Sequence, residues 1–225
     1  VLIVHRRRVT GADRAPTISA VVAKERGRTI DCFIIVDEAS SDALAGLASG
    51  SSEGERPGLV AELGAALLRR TREWAEGFAG GEVTVLEYPR DSAKAATSSA
   101  DAVVLLRPAL VRLGPGHASD LLEDLDSGCG VVIGPTLAGG WYLLALSPGD
   151  PDLIEAAGDG GPGASGRLLA VASTRNGVDV GLLRAERDIA ADSDLRAAAA
   201  DPLVDMEVAR LLSGLGAAGP RGQAD

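Results

Sequence analysis

Two apolar runs separated by a turn of small residues mark the centre of this chain. Gly130 to Leu146 reads GVVIGPTLAGGWYLLAL, with Val131, Val132 and Ile133 as a β-branched run and Trp141 to Leu146 as a second. Runs of this kind, without polar interruption, predict buried strands. Gly134-Pro135 breaks the first run, and the pair Gly139-Gly140 allows positive φ or a close approach of a ligand to the backbone. An ordinary strand connection is the plainer reading of the same residue types.

The pattern around this centre alternates between strand and helix. Val1–Val4 is a candidate strand and Thr17–Arg26 a candidate short helix, and DCFIIVD at Asp31–Asp37 predicts a strand. From Gly58 to Gly80, Leu59, Leu63, Leu67, Thr71, Trp74 and Phe78 recur at helical spacing on one face, leaving Arg69, Arg70, Arg72 and Glu73 outside. Gly80 and Gly81 are expected to end that helix, and Trp74 and Phe78 are read as core. Next come a strand at Val83–Leu86, a polar link at Asp91–Ser99, a fully apolar strand at Ala102–Leu106 and a helix at about His117–Leu125. After the central stretch the pattern predicts a helix at Leu153–Ala157, a helix at Arg167–Thr174, a strand at Val178–Leu183 and a last helix at Pro202–Leu215. That last helix buries Val204, Val208, Leu211, Leu212 and Leu215. Such alternation predicts a three-layer α/β/α domain with a mainly parallel sheet and ligands at the carboxyl ends of the strands.

Composition narrows the function classes. A chain of 225 residues that is 46% hydrophobic can bury one sizeable core, and at 3% aromatic that core is filled by Ala, Val and Leu. A net charge of −10 argues against nucleic-acid and anionic-membrane binding, which need clustered Lys and Arg. No apolar run approaches the roughly 18 residues of a membrane span, so a soluble cytoplasmic protein is expected. Cys32 and Cys129 each lie in or beside an apolar run and read as reduced core residues. His117 reads as a solvated or capping residue at a helix entry, with no second ligand at zinc spacing. The glycine-rich stretch Gly158–Gly166 lacks the pattern of a P-loop and is expected to be an unstructured connection or a loop bordering an acceptor pocket.

The central stretch resembles the Gly-Pro-x-x-Asp-Gly-Gly-Tyr-Tyr-Leu-x-Gly-Leu segment of a family of small bacterial transferases. These are glycosyltransferase A-like (GT-A) proteins of unknown substrate, related to phospholactate guanylyltransferase and molybdenum-cofactor guanylyltransferase. Gly134, Pro135, Gly139, Gly140, Tyr142, Leu143 and Leu146 match, Trp141 is an aromatic replacement, and Ala138 stands where the family carries aspartate. A second stretch, Arg187–Leu195 (RDIAADSDL), is similar to the family's Arg-Asp-Val-Asp-Thr-x-x-Asp-Leu. Arg187, Asp188, Asp194 and Leu195 match, and Ala190 replaces the middle aspartate. In VVLLRPAL, Pro108 and Leu110 keep the family frame, but Leu106 occupies the place of a metal-binding aspartate.

The resemblance implies a nucleotide-diphospho-sugar transferase fold over roughly Asp31–Leu212 and a nucleotide or nucleotide-sugar ligand. Gly134, Pro135, Gly139, Gly140, Trp141 and Tyr142 would form its pocket. Arg107 would hold phosphate without metal, its plainer reading being a surface arginine. Asp188 is the surviving metal candidate and, with Arg187, the candidate catalytic pair. Asp192 is expected to cap the following helix. Magnesium or manganese would be weakly held or absent, because leucine and alanine offer no oxygen ligand. Leu106, Ala138 and Ala190 are expected to converge on one cleft.

The family's opening strand is followed by a basic phosphate loop. If DCFIIVD is that strand, Asp37 and Glu38 stand near the place of its lysine; if Val1–Val4 is, then Arg6–Arg8 supply the basic charge. DCFIIVD is favoured, because the helix after it fits better. The expected organisation is residues 1–30 as an extension or first strand and helix, 31–215 as one domain and 216–225 as a flexible tail. Two functions compete: a divergent glycosyl- or nucleotidyltransferase with a degraded metal site, and a non-catalytic member acting as a binding protein with a protein partner.

Overall fold

The computed structural model describes residues 4–5, 27–36, 56–189 and 191–217. Expectations for most of Val1–Val4 and for Arg6–Arg8, Thr17–Arg26, Asp37–Glu38, Ala190 and the last residues of the tail lie outside these. Among the described residues the strands are β1 (Val4–His5), β2 (Ile30–Val36), β3 (Val83–Glu87), β4 (Ala102–Leu106), β5 (Val131–Pro135), β6 (Trp141–Leu146) and β7 (Val180–Leu182). The helices are α1 (Arg56–Glu76), α2 (Ser92–Ala96), α3 (Pro115–Asp126), α4 (Pro151–Ala157), α5 (Ala164–Ser173), α6 (Asp192–Ala199) and α7 (Met206–Ala217).

The strands form one sheet in the order β1-β7-β5-β6-β4-β2-β3. Every adjacent pair is parallel except β4–β6 and β5–β6, so β6 alone runs against the rest. The strand DCFIIVD thus sits inside the sheet between β3 and β4, whereas Val4–His5 pairs only with β7 at the far edge. This placement puts DCFIIVD, and not Val4–His5, in the interior of the sheet.

Alternation along the strands sorts their side chains onto two faces. Ile30, Cys32, Ile34, Val104, Leu106 and Val132 turn toward Ala75 and Phe78 and toward Leu121, Leu122 and Leu125 of α3. Phe33, Ile35, Val103, Leu105, Val131 and Ile133 turn toward α4 and α5 through Leu153, Ile154, Leu168 and Ala172. A third cluster joins α1 to α6 and α7 through Leu63, Leu67, Leu195, Val208, Leu211 and Leu212. All five residues of β4 and all six of β6 are buried, as expected of strands covered on both faces. Both cysteines are buried free thiols, and burial pushes each thiol's pKa upward.

Several boundaries differ from the pattern-based expectation, among them the starts of α5 at Ala164 and of α7 at Met206. Helix α1 stops at Glu76, and Gly77 rather than Gly80 follows it; Phe78 stays fully buried just beyond the helix. The link expected at Asp91–Ser99 contains α2, a five-residue helix too short for periodicity to announce, anchored by the buried Ala95. Asp192 opens α6 instead of capping it: the residue before the helix is Ala191, and its N–H is satisfied by the Asp194 carboxylate at 3.0 Å. Asp194 reaches back from the first turn, where a negative side chain also suits the helix dipole. No helix among the described residues is long and apolar enough to cross a membrane.

Candidate functional site

The carboxyl ends of β2, β4, β5 and β7 point to one edge of the sheet, and the antiparallel β6 brings its first residues to the same edge. The turn between β5 and β6 and the segment after β7 therefore meet there. Thr136 bridges to Glu186, Leu110 bridges to Asp188, and the Leu137 N–H donates to the Glu186 carbonyl at 2.8 Å.

A register shift lies where Gly134 and Pro135 face Leu143 and Trp141, leaving Tyr142 as an extra residue on β6. Such a bulge breaks the alternation. Trp141 faces the α4 and α5 side, while Tyr142 and Leu143 both face the α1 and α3 side. Gly134 is what makes room: a Cβ there would lie 2.5–2.9 Å from three atoms of the Tyr142 ring. Trp141 is fixed by its indole N–H, which donates to the Ala157 carbonyl at 3.0 Å. Tyr142 donates its hydroxyl to the Arg184 carbonyl at 3.1 Å. Burial, and after it the Glu186 charge, push the phenol's pKa up, so it remains a donor.

The close approach that Gly139 and Gly140 permit is to the chain itself. A Cβ on Gly140 would collide with the Gly160 carbonyl, and Ser165 donates both its N–H and its hydroxyl to the Gly139 carbonyl, at 3.2 and 2.8 Å. The stretch expected as an unstructured connection is instead a tight loop, with Gly158, Gly160 and Gly163 at positive φ, leading into α5. Arg107 locks it. Far from being a surface arginine, Arg107 is only 9% exposed, donates to the Gly160 carbonyl at 3.0 Å and lies over the Trp141 ring at 6.0 Å. Trp141 also lines a narrow apolar crevice with Ile35, Tyr88, Leu105 and Ile154, about 10 Å³ in size and so no larger than one water needs.

On the opposite face of the same edge sits a polar cluster that sequence patterns did not reveal. His117 is 7% exposed, not solvated; its Nδ1 accepts the Gly114 N–H at 3.2 Å at the start of α3. The neutral ring then carries its proton on Nε2, which donates to Glu186 Oε1 at 3.1 Å. The same oxygen accepts from Arg184 Nε at 2.6 Å and pairs with its Nη2. Burial pushes the Glu186 carboxyl up, but hydrogen bonding to His117 and the charge of Arg184 outweigh it, and the net shift is downward. A group whose pKa is depressed by folding stabilises the fold above its unfolded-state value, and loses that contribution as pH falls through the folded value. The stability gap between wild type and Glu186→Gln is therefore expected to shrink in unfolding titrations taken from about pH 7 to about pH 3; a gap that is constant or widens would contradict this.

The residues expected to mark a metal site are distributed as follows. Leu106 is 1% exposed and lies in the apolar cluster that also holds Leu110, Tyr142, Leu143 and Leu183. Ala138 lies exposed in the turn at the same edge, and Ala190 is outside the described residues. Asp188 is half-buried beside Leu110, and Arg187 is paired with Asp194 at 2.9 Å. Among the described residues no three His, Cys, Asp or Glu side chains converge as a metal ion would require.

No family model and no curated protein matches this chain. Among solved structures it is similar to the crystal structure of a candidate nucleotide-diphospho-sugar transferase from Desulfovibrio desulfuricans G20. The two are 15% identical, the match covers 84% of this chain and 95% of that one, and the TM-score is 0.63. The sheet, with its single reversed strand, thus belongs to the nucleotide-diphospho-sugar transferase fold.

Proposed function

We propose, from this fold and this edge, that the protein binds a nucleotide or nucleotide sugar as a divergent glycosyl- or nucleotidyltransferase. In this reading arginine, not a resident metal, meets the phosphate charge. The observation that carries it is Leu106: the position of the family's metal-binding aspartate is filled by a leucine sealed in apolar core. Magnesium and manganese need several oxygen ligands in regular geometry. Among the described residues Asp188 and Glu186 supply carboxylates at this edge, and no three ligating side chains converge as a tightly held cation requires.

Arg107 keeps a permanent positive charge at the carboxyl edge, next to the Gly160 loop. A fixed guanidinium in a partly dry site stabilises charge developing on a phosphate leaving group without reorganising at the moment of reaction. Asp188 and Arg187 are the candidate reacting pair. The loss of metal ligands equally favours a second reading, a non-catalytic member that binds a ligand or a protein partner.

Calorimetric titration with GTP, CTP, UTP and UDP-sugars, each with and without manganese, tests both. Expected is binding of at least one of them that manganese changes by less than about twofold and that Arg107→Met weakens about tenfold, near 1.4 kcal/mol. Strengthening by manganese would overturn the arginine reading and make Asp188 the first residue to mutate. No binding at about 1 mM, a free energy near 4 kcal/mol, would leave the non-catalytic reading.

A further inference from the structure

The loop between α4 and α5 covers the arginine on which that reading depends. Of its six residues, Gly158–Gly163, only Gly160 is buried. Most of its hydrogen bonds are local. Gly158 donates to the Glu155 carbonyl, Gly160 to that of Ala157 and Gly161 to the Asp159 carboxylate, while the Gly161 and Gly163 carbonyls accept from Ala164 and Arg167 of α5. Among the described residues, the hydrogen bond that ties the loop to the sheet edge is the one from Arg107 Nη1 to the Gly160 carbonyl at 3.0 Å. The loop backbone lies directly on that side chain, since a Cβ on Gly160 would fall 2.6–2.8 Å from Arg107 Cδ, Nε and Nη1. The ends are held separately, Ala157 by the Trp141 indole and Ser165 by the Gly139 carbonyl. Between those anchors Gly158 and Gly163 have φ of 53° and 81°, and with no side chain either can swing without a clash.

We infer that Gly158–Gly163 is a lid latched shut by Arg107, and that an anion opens it by taking the guanidinium from the Gly160 carbonyl. An ionised phosphate oxygen is a stronger acceptor for a guanidinium than a neutral carbonyl is. The released carbonyl turns to water and is not left unsatisfied. An anion that reaches Arg107 only when the loop is displaced binds the open arrangement alone, and that difference in affinity is what shifts the loop. The same displacement lifts Gly158 off the crevice lined by Ile35, Leu105 and Trp141, which with the lid shut has room for no more than one water.

The lid deepens the nucleotide reading and rests on it for the anion, with Arg107 as the phosphate contact in both. Pyrophosphate is the probe in two measurements. The first is arginine labelling with phenylglyoxal, read by mass spectrometry against Arg90, whose side chain is 81% exposed. Arg107 in the wild type is expected to react at least about tenfold more slowly than Arg90, and Gly160→Ala, which dislodges the loop and keeps the arginine, to close most of that gap. The second is hydrogen exchange at the Gly160 amide, read by NMR. Its protection is expected to fall about tenfold in Arg107→Met, and likewise in the wild type with pyrophosphate but not with potassium chloride at equal ionic strength. An Arg107 that labels as fast as Arg90 in the wild type overturns the inference, as does Gly160 protection that is unchanged in Arg107→Met. So does pyrophosphate that slows Arg107 labelling in Gly160→Ala yet leaves Gly160 protection in the wild type intact. Loosening by both substitutions with no response to pyrophosphate in either protein would uphold the latch and defeat the phosphate reading.

Discussion

Leu106→Asp is expected to destabilise the domain by about 4 kcal/mol or more, instead of rebuilding a metal site. The position lies on a strand paired on both sides, with Ile34 and Leu143 as its neighbours. Its side chain is 1% exposed and belongs to the apolar cluster that also holds Leu110, Tyr142, Leu143 and Leu183. An aspartate there would have to ionise among apolar groups or stay protonated with no hydrogen-bond partner, and either costs several kcal/mol. Against a typical net stability of about 5–15 kcal/mol, that loss leaves a large unfolded fraction. Urea unfolding reads the effect directly, and Leu106→Met, which conserves volume, is expected to lose less than about 1.5 kcal/mol. A folded Leu106→Asp protein with an unchanged midpoint that gains manganese affinity would show that the residue faces an open cleft.

Gly134→Ala comes second, at about 3 kcal/mol, the upper end of overpacking costs. The added methyl would lie 2.5–2.9 Å from three atoms of the Tyr142 ring. The ring cannot slide to make room, because its hydroxyl is tied to the Arg184 carbonyl at 3.1 Å and the residue is fully buried. Tyr142→Leu should relieve the conflict: in a double-mutant cycle the pair is expected to lose about 1–2 kcal/mol less than the sum of the two single changes. Strict additivity would mean that Gly134 is needed for backbone conformation and not for the ring.

These two positions also show what was legible from the residues alone. The Gly-Pro break, the paired glycines and the aromatic that follows marked a turn between two buried strands, and β5 and β6 fall there with nearly the expected bounds. The three- and four-residue spacing of Leu63, Leu67, Thr71 and Phe78 likewise marked the buried face of α1 and its continuation, since local periodicity records burial, while Trp74, also expected as core, is half-buried against it. Partners distant in sequence leave no such record. Nothing in the pattern around His117 or Glu186, which are 69 residues apart, announces that they meet at 3.1 Å. The one available hint was Glu186 itself, an acidic residue directly before the Arg187-Asp188 match in a stretch following a predicted strand. The loop at Gly158–Gly163 departs from the unstructured connection its composition suggests for a related reason: glycine richness signals conformational freedom, and only the fold shows that Arg107 and Gly140 take it away.

The bulge at Tyr142 places a constraint on length as well as on composition. Because side chains alternate with a period of two, removing one residue from Thr136–Tyr142 would absorb the extra residue and exchange the faces to which the aromatic pair is directed. Adding one would push Trp141 off its Ala157 carbonyl. Insertions and deletions that surface loops ordinarily tolerate are thus excluded from this turn, and a substituted residue such as Ala138 can drift in identity while the count of residues around it cannot.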